Sequence, residues 1–175
     1  HSHTSASHDG RSGFSPERNR AWHRDAGYNV AFVTDHATVA AAERGIPDNP
    51  QPAALGVTLL QGIEASWNGE HVGVLNAERA YKGLLTNGLR DVDAQSLALA
   101  SFIQGREPIV VWNHPRDLTK LPAPSQSRMP GVRAIEIVNG SPANMDRIQP
   151  HRAAIVAFAD QDNIALVSRS DNHGW

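Results

Sequence analysis

Residues 29–36 read NVAFVTDH, an apolar, β-branched run that ends on Asp35 and His36. Such a run predicts a buried strand. A strand ending this way delivers an acid and an imidazole at its carboxyl end. The arrangement recurs along the chain. VTLLQGI (57–63) leads into Glu64, PIVVW (108–112) into His114, and IALVS (164–168) into Asp171 and His173. VGVLN (72–76) and VRAIEIV (132–138) complete the predicted strands. The chain itself opens on His1-Ser2-His3. In an extended segment residues i and i+2 share a face, so both imidazoles can reach one ion. Asp171 and His173 have the same spacing.

Helical patterns separate most of these runs. In SPERNRAWHRDAG, Ser15 is placed to cap, Pro16 takes the first helical position, and Gly27 follows the end. DVDAQSLALASFIQG (91–105) combines an acidic first turn with apolar residues at helical spacing. Helices are also predicted over 150–160 and over the Ala-rich stretch 37–45, and loops over the proline-rich segments 47–52 and 121–131. Strand–helix alternation predicts parallel strands joined by crossovers. Uniformly apolar strands are buried on both faces, which leaves a doubly wound sheet or a barrel. In a parallel barrel, strand ends that are distant in sequence meet on one rim.

The 175 residues suit a single domain spanning 1–175. The net charge of −2 gives no pull toward a long nucleic acid or an anionic membrane surface, and a small-molecule substrate is expected instead. No apolar run is long enough to span a membrane. With no cysteine, any metal must be held by imidazole and carboxylate, a set that takes zinc, manganese or iron. No signal peptide is read in the residues from His1 onward; localisation stays open between a cytoplasmic setting, slightly favoured, and one reached through a leader removed before His1. Each Asp or His taken alone reads equally well as a turn former or a cap. Together they point to a shared cation site, because buried imidazoles and acids need partners or a metal.

In order, HSHT, DG, TDH, GIE, a further histidine, NHP, IEIVNG and SDNHG resemble the PHP (polymerase and histidinol phosphatase) superfamily, from the first residue to nearly the last. The resemblance implies a distorted (β/α)7 TIM-like barrel, here without its first strand and last helix, so that residues 1–175 would be trimmed at both ends. It implies a centre of two or three metal ions that hydrolyses phosphate esters. The implied ligands are His1, His3, Asp9, His36, Glu64, His71, His114, Asp171 and His173. His71 fits least well, because it precedes an apolar run instead of following one. Without a preceding strand, His1 and His3 are expected to fray unless something ties them down.

So many N and O ligands exceed the needs of one tetrahedral ion, and two or three ions fit them better, Glu64 bridging. The nucleophile is then a metal-bound hydroxide, and no side-chain nucleophile is required. Arg116, Arg169 and Arg11 flank ligands and are candidates to hold phosphate, each equally readable as a surface arginine. His8 abuts Asp9 and is read as a substrate neighbour. Glu136, buried inside AIEIV, orients a ligand or pairs with an arginine, and Asn139 joins it as a supporting residue. His23 and His151 read as solvated helix positions. The expected substrate is a small-molecule phosphoester or a nucleotide. Two alternatives stay open: the same centre hydrolysing a carbamate, ester or amide, and a non-catalytic metal-binding module.

Overall fold

Strands form where the apolar runs lie. A computed structural model describes residues 1–36, 56–75, 107–120 and 131–174. Within them are β1 (Val30–Val33), β2 (Thr58–Trp67), β3 (Glu70–Leu75), β4 (Ile109–Asn113), β5 (Val132–Asn139) and β6 (Ala165–Arg169). The strands lie in chain order, β1-β2-β3-β4-β5-β6. Residues 58–61 of β2 pair with β1, and residues 62–67 pair with β3. A two-strand ladder and a five-strand ladder therefore share β2.

This is an open, mixed sheet and not a (β/α)7 barrel. No ladder among the described residues joins β6 to β1. The departure begins at Asn68 and Gly69, whose φ angles are 47° and 80°. Two consecutive left-handed residues make the tight hairpin turn that Asn-Gly favours. The chain reverses there without a crossover, so β3 runs antiparallel to both β2 and β4, while β1–β2, β4–β5 and β5–β6 are parallel.

The opening segment lies between the two outer strands. Ser2 bridges Asn172 in parallel. His3 N donates to Asn172 O (2.8 Å), Asp171 N to His1 O (3.0 Å), and Thr34 N to Ser2 O (2.8 Å). The expected fraying of His1 and His3 is thereby prevented. Helix α1 (Pro16–Asp25) forms as its caps predict, with the Ser15 side chain accepting from Arg18 N. Its inner face reinforces the segment. Asn19 Nδ2 donates to His3 O at 2.9 Å. His23 is buried, with ring nitrogens 2.8 Å from Asn19 O and 3.1 Å from Ser170 Oγ. The reading of His23 as a solvated position is therefore wrong, whereas His151 is exposed.

Two further helices follow β5: α2 (Pro142–Ile148) and, after a 3-10 turn at Gln149–His151, α3 (Arg152–Asp162). Helix α3 corresponds to the prediction over 150–160. Helix α2 was not predicted, although Ser141-Pro142 repeats the signature that opens α1. The predicted helices at 37–45 and 91–105, the loop at 47–52 and nearly all of the loop at 121–131 lie outside the described residues. Ile63, Ala65, Val72, Val74, Val110, Trp112, Val132 and Ile135 pack with Ile148 of α2 and with Ile155 and Ala159 of α3. On the other side of the sheet Leu75, Val111 and Ala134 form a smaller apolar layer with Phe32 and Val167.

Candidate metal centre

Side chains alternate along a strand, so the residues beside Ile63, Trp112 and Ile135 point away from the main core. They are Glu64, Asn113 and Glu136, all buried. Glu64 stands at the middle of the cluster. Its Oε1 is 3.2 Å from His114 Nε2, 3.4 Å from His71 Nδ1 and 3.5 Å from His1 Nε2. Its Oε2 is 3.1 Å from His3 Nε2 and 3.6 Å from His36 Nδ1. Each carboxylate oxygen thus faces its own group of imidazoles.

Asp171 and Asp9 complete the ring. Asp171 Oδ1 lies 3.0 Å from His1 Nε2 and 3.4 Å from His3 Nε2. Asp9 Oδ2 is 3.2 Å from both His36 Nε2 and His173 Nε2. Four overlapping sets, His3-Asp9-His36-His173, His1-His114-Asp171, His1-His3-Glu64 and His36-Glu64-His71, each place their ligand atoms within 4.8 Å of one another. The structure therefore brings together all nine residues that the sequence put forward as ligands. His71 joins them because β3 is antiparallel: its amino end lies where its neighbours' carboxyl ends do, and His71 pairs with Ser66 and Asn113.

Two of these residues sit in left-handed backbone, His114 at φ 24° and Asp171 at φ 48°. Non-glycine residues hold that conformation only where the surroundings enforce it. Glu136 Oε2 accepts the His114 amide at 2.6 Å, and Asn144 Nδ2 donates to Asp171 Oδ2 at 2.7 Å. Glu136 Oε1 accepts from Asn139 Nδ2 at 3.1 Å and lies 3.8 Å from His1 Nδ1. Asp35 accepts from the Thr4 amide and hydroxyl at 2.6 and 2.8 Å, fixing the opening segment behind the cluster.

The electrostatics suit cations. Burial alone would lower the pKa of His3, but Asp171 and Glu64 beside it raise it to about 9. Burial acts on His1 in the same sense, and Glu64 and Asp171 again outweigh it and push it well above the usual imidazole value. Burial would raise Glu64, Asp171 and Asp9, yet the neighbouring imidazoles hold all three well below the carboxylate range. Beyond the imidazole–carboxylate contacts above, several buried polar atoms make no hydrogen bond among the described residues: His1 Nδ1 and Nε2, His3 Nε2, His114 Nδ1 and Asp171 Oδ1. Unsatisfied buried donors and acceptors of this kind need an explanation. A set of imidazole and carboxylate atoms aimed at common points fits divalent ions.

The cluster floors a cavity of about 160 Å³, with Arg116, Asn144 and Arg147 at its wall. Asn144 and Arg147, both on α2, were missed in the sequence, and the Ser-Pro helix start was the signal for them. The other candidate arginines lie elsewhere. Arg11 is exposed and donates to Gly174 O (3.1 Å). Arg169 is not among the residues lining the cavity; its guanidinium turns to Asn113 Oδ1 at 3.1 Å. His8 is exposed, its ring 4.7 Å from that of His36.

No protein-family model and no curated protein matches this sequence. Solved structures do share the fold. PsfC from Pseudomonas syringae superposes with a TM-score of 0.59 at 21% identity, covering 90% of this chain and 67% of PsfC. An amidohydrolase from Chromobacterium violaceum, determined with bound sulfate and no metal, gives 0.64 at 16%, covering 98% and 85%. The lesion-specific endonuclease PfuEndoQ from Pyrococcus furiosus gives 0.59 at 13%, covering 99% of this chain and 47% of the endonuclease.

Proposed function

We propose that this protein is a metal-dependent hydrolase of phosphate esters. The observation that carries the reading is Glu64, each of whose oxygens faces a separate group of imidazoles. His1, His71 and His114 on one side, His3 and His36 on the other, with Asp9, Asp171 and His173, would hold two or three divalent ions of zinc, manganese or iron. Ions bound there supply an activated water and positive charge against the oxygens of the ester. The fold shared with an amidohydrolase and an endonuclease supports hydrolysis in general.

The choice of phosphate rests on the cavity wall. Arg116 keeps its backbone amide on Glu70 Oε2 (2.9 Å) and its Nη2 on Gly69 O (2.6 Å). Arg147 Nη1 donates to Asn144 Oδ1 at 3.0 Å. Two guanidinium groups beside one small cavity suit an anionic group, which they bind and orient. The volume of about 160 Å³ limits the group that reaches the centre to a small one.

The test is a substrate panel of phosphomonoesters, carboxyl esters and amides, run with Zn²⁺, Mn²⁺ or Fe²⁺. Turnover of phosphomonoesters, with KM raised about tenfold or more in Arg147→Ala, is the expected result; one lost charge-assisted hydrogen bond of about 1.5–3 kcal/mol predicts that size. The amidohydrolase neighbour favours a second reading, in which the same centre cleaves an amide or carbamate. Turnover of those substrates alone would establish it in place of the first.

A further inference from the structure

Arg169 on β6 does not line the cavity, yet it reaches the centre by another route. Its Nη1 donates to Asn113 Oδ1 on β4 at 3.1 Å, and Asn113 Nδ2 donates to Glu64 Oε1 on β2 at 2.9 Å. Asn113 is fully buried. A guanidinium only donates, so the Asn113 carbonyl must face Arg169 and its NH₂ must face Glu64. A flipped amide would set two acceptors together at one end and two donors at the other. The contact therefore fixes which way the amide points.

The strand between leaves room for it. Gly73 on β3 pairs with Glu64, and a Cβ there would stand 3.0 Å from Arg169 Nη1 and 3.1 Å from Asn113 Oδ1. A side chain at position 73 would press on both by a few tenths of an ångström. Burial lowers the Arg169 pKa, and the nearby carboxylates of Glu136, Glu64 and Asp171 act in the opposite sense.

We propose that Arg169 is a positioning residue which, through Asn113 and over Gly73, holds Glu64 so that its two oxygens face separate imidazole groups. The inference rests on the reading of the cluster as a metal centre. Hydrogen-bonding partners behind metal ligands commonly alter affinity by about 10–100-fold when removed. Arg169 would act on metal binding without touching metal or substrate.

The experiment measures Mn²⁺ and Zn²⁺ affinity by calorimetric titration of chelator-treated protein, with folding followed by circular dichroism. The variants are Arg169→Met, Arg169→Lys, Asn113→Ala, Gly73→Ala and the double variant Arg169→Met/Asn113→Ala. Arg169→Met and Asn113→Ala are expected to weaken binding about 10–100-fold. The double variant should be no worse than the weaker-binding single one, because both break one chain of contacts. Arg169→Lys, which still donates to Asn113, should recover part of the loss, and Gly73→Ala should lower affinity in the same direction. Asn113→Ala leaves the buried charges in place and so decides the matter even where Arg169→Met does not fold. Affinities within twofold of wild type, or losses that simply add in the double variant, overturn the relay alone. Wild-type protein that takes up neither metal overturns the reading of the centre and the relay with it.

Discussion

Toward α2 and α3, strands β2, β4 and β5 present Ile63, Ala65, Trp112 and Ile135. On the opposite face the adjacent positions are Glu64, Asn113 and Glu136. The backbone is the same and both faces are buried, but the means of satisfying each differ. The apolar face needs only close packing, worth roughly 25 cal/mol per Å² removed from water. The polar face leaves imidazole and carboxylate atoms without hydrogen bonds. One face holds the fold, and the other is held by it so that imidazoles and carboxylates converge.

Substitutions on the two faces should therefore fail in opposite ways. His36→Ala on the polar face is expected to cut turnover by about three orders of magnitude, since losing a charge-stabilising ion contact costs several kcal/mol and each decade corresponds to about 1.4 kcal/mol. Its melting temperature should stay near wild type, because His36 is only partly buried. Ile135→Ala on the apolar face should do the reverse, lowering stability by about 2–5 kcal/mol while folded molecules keep their turnover. Paired denaturant melts and rate measurements on both variants check this. Equal damage to both properties in each variant would dissolve the distinction.

Acidity should separate the faces further. In metal-free protein His3 is raised from about 6.5 to about 9 by Asp171 and Glu64. A group raised in the folded state contributes stability that is complete below its unfolded pKa and lost as pH climbs through the folded one. Chelator-treated protein should accordingly melt at lower temperature at pH 9 than at pH 6.5. Metal binding competes with the same protons, so affinity should rise over that interval. Melting curves across it, with and without metal, give both slopes.

A smaller effect is expected at the hairpin, which brings His71 to the polar face. Gly69 has φ 80°. Gly69→Ala should cost about 1–2 kcal/mol, the ordinary penalty for a side chain in left-handed backbone. Urea denaturation measures it directly.

Much of this arrangement was legible in the sequence. Every apolar run became a strand, because β-branched residues bounded by polar ones have few other ways to be buried. Five of the residues that converge, His36, Glu64, His114, Asp171 and His173, were legible because they stood just past those runs, whereas His1, His3, Asp9 and His71 were legible only through the order of the short motifs. The topology was read wrongly at one place. Strand–helix alternation leaves a doubly wound sheet or a barrel and the family resemblance implies the barrel, yet Asn68-Gly69 between two apolar runs is a strong hairpin signal. That dipeptide also accounts for His71, whose place ahead of an apolar run suits a β3 that runs antiparallel to both neighbours. Arg169, Arg11 and His23 were not legible: whether a long side chain turns to the cavity, to a carbonyl or inward depends on contacts across distant strands. Asn144 and Arg147 reach the cavity only through α2.

The most direct test of the central claim is elemental analysis of protein purified without chelator, beside Glu64→Gln prepared in the same way. More than one equivalent of bound zinc, manganese or iron in the wild type, falling sharply in the variant, is the predicted result. Wild-type protein carrying no bound divalent metal, or a variant carrying just as much, would contradict it.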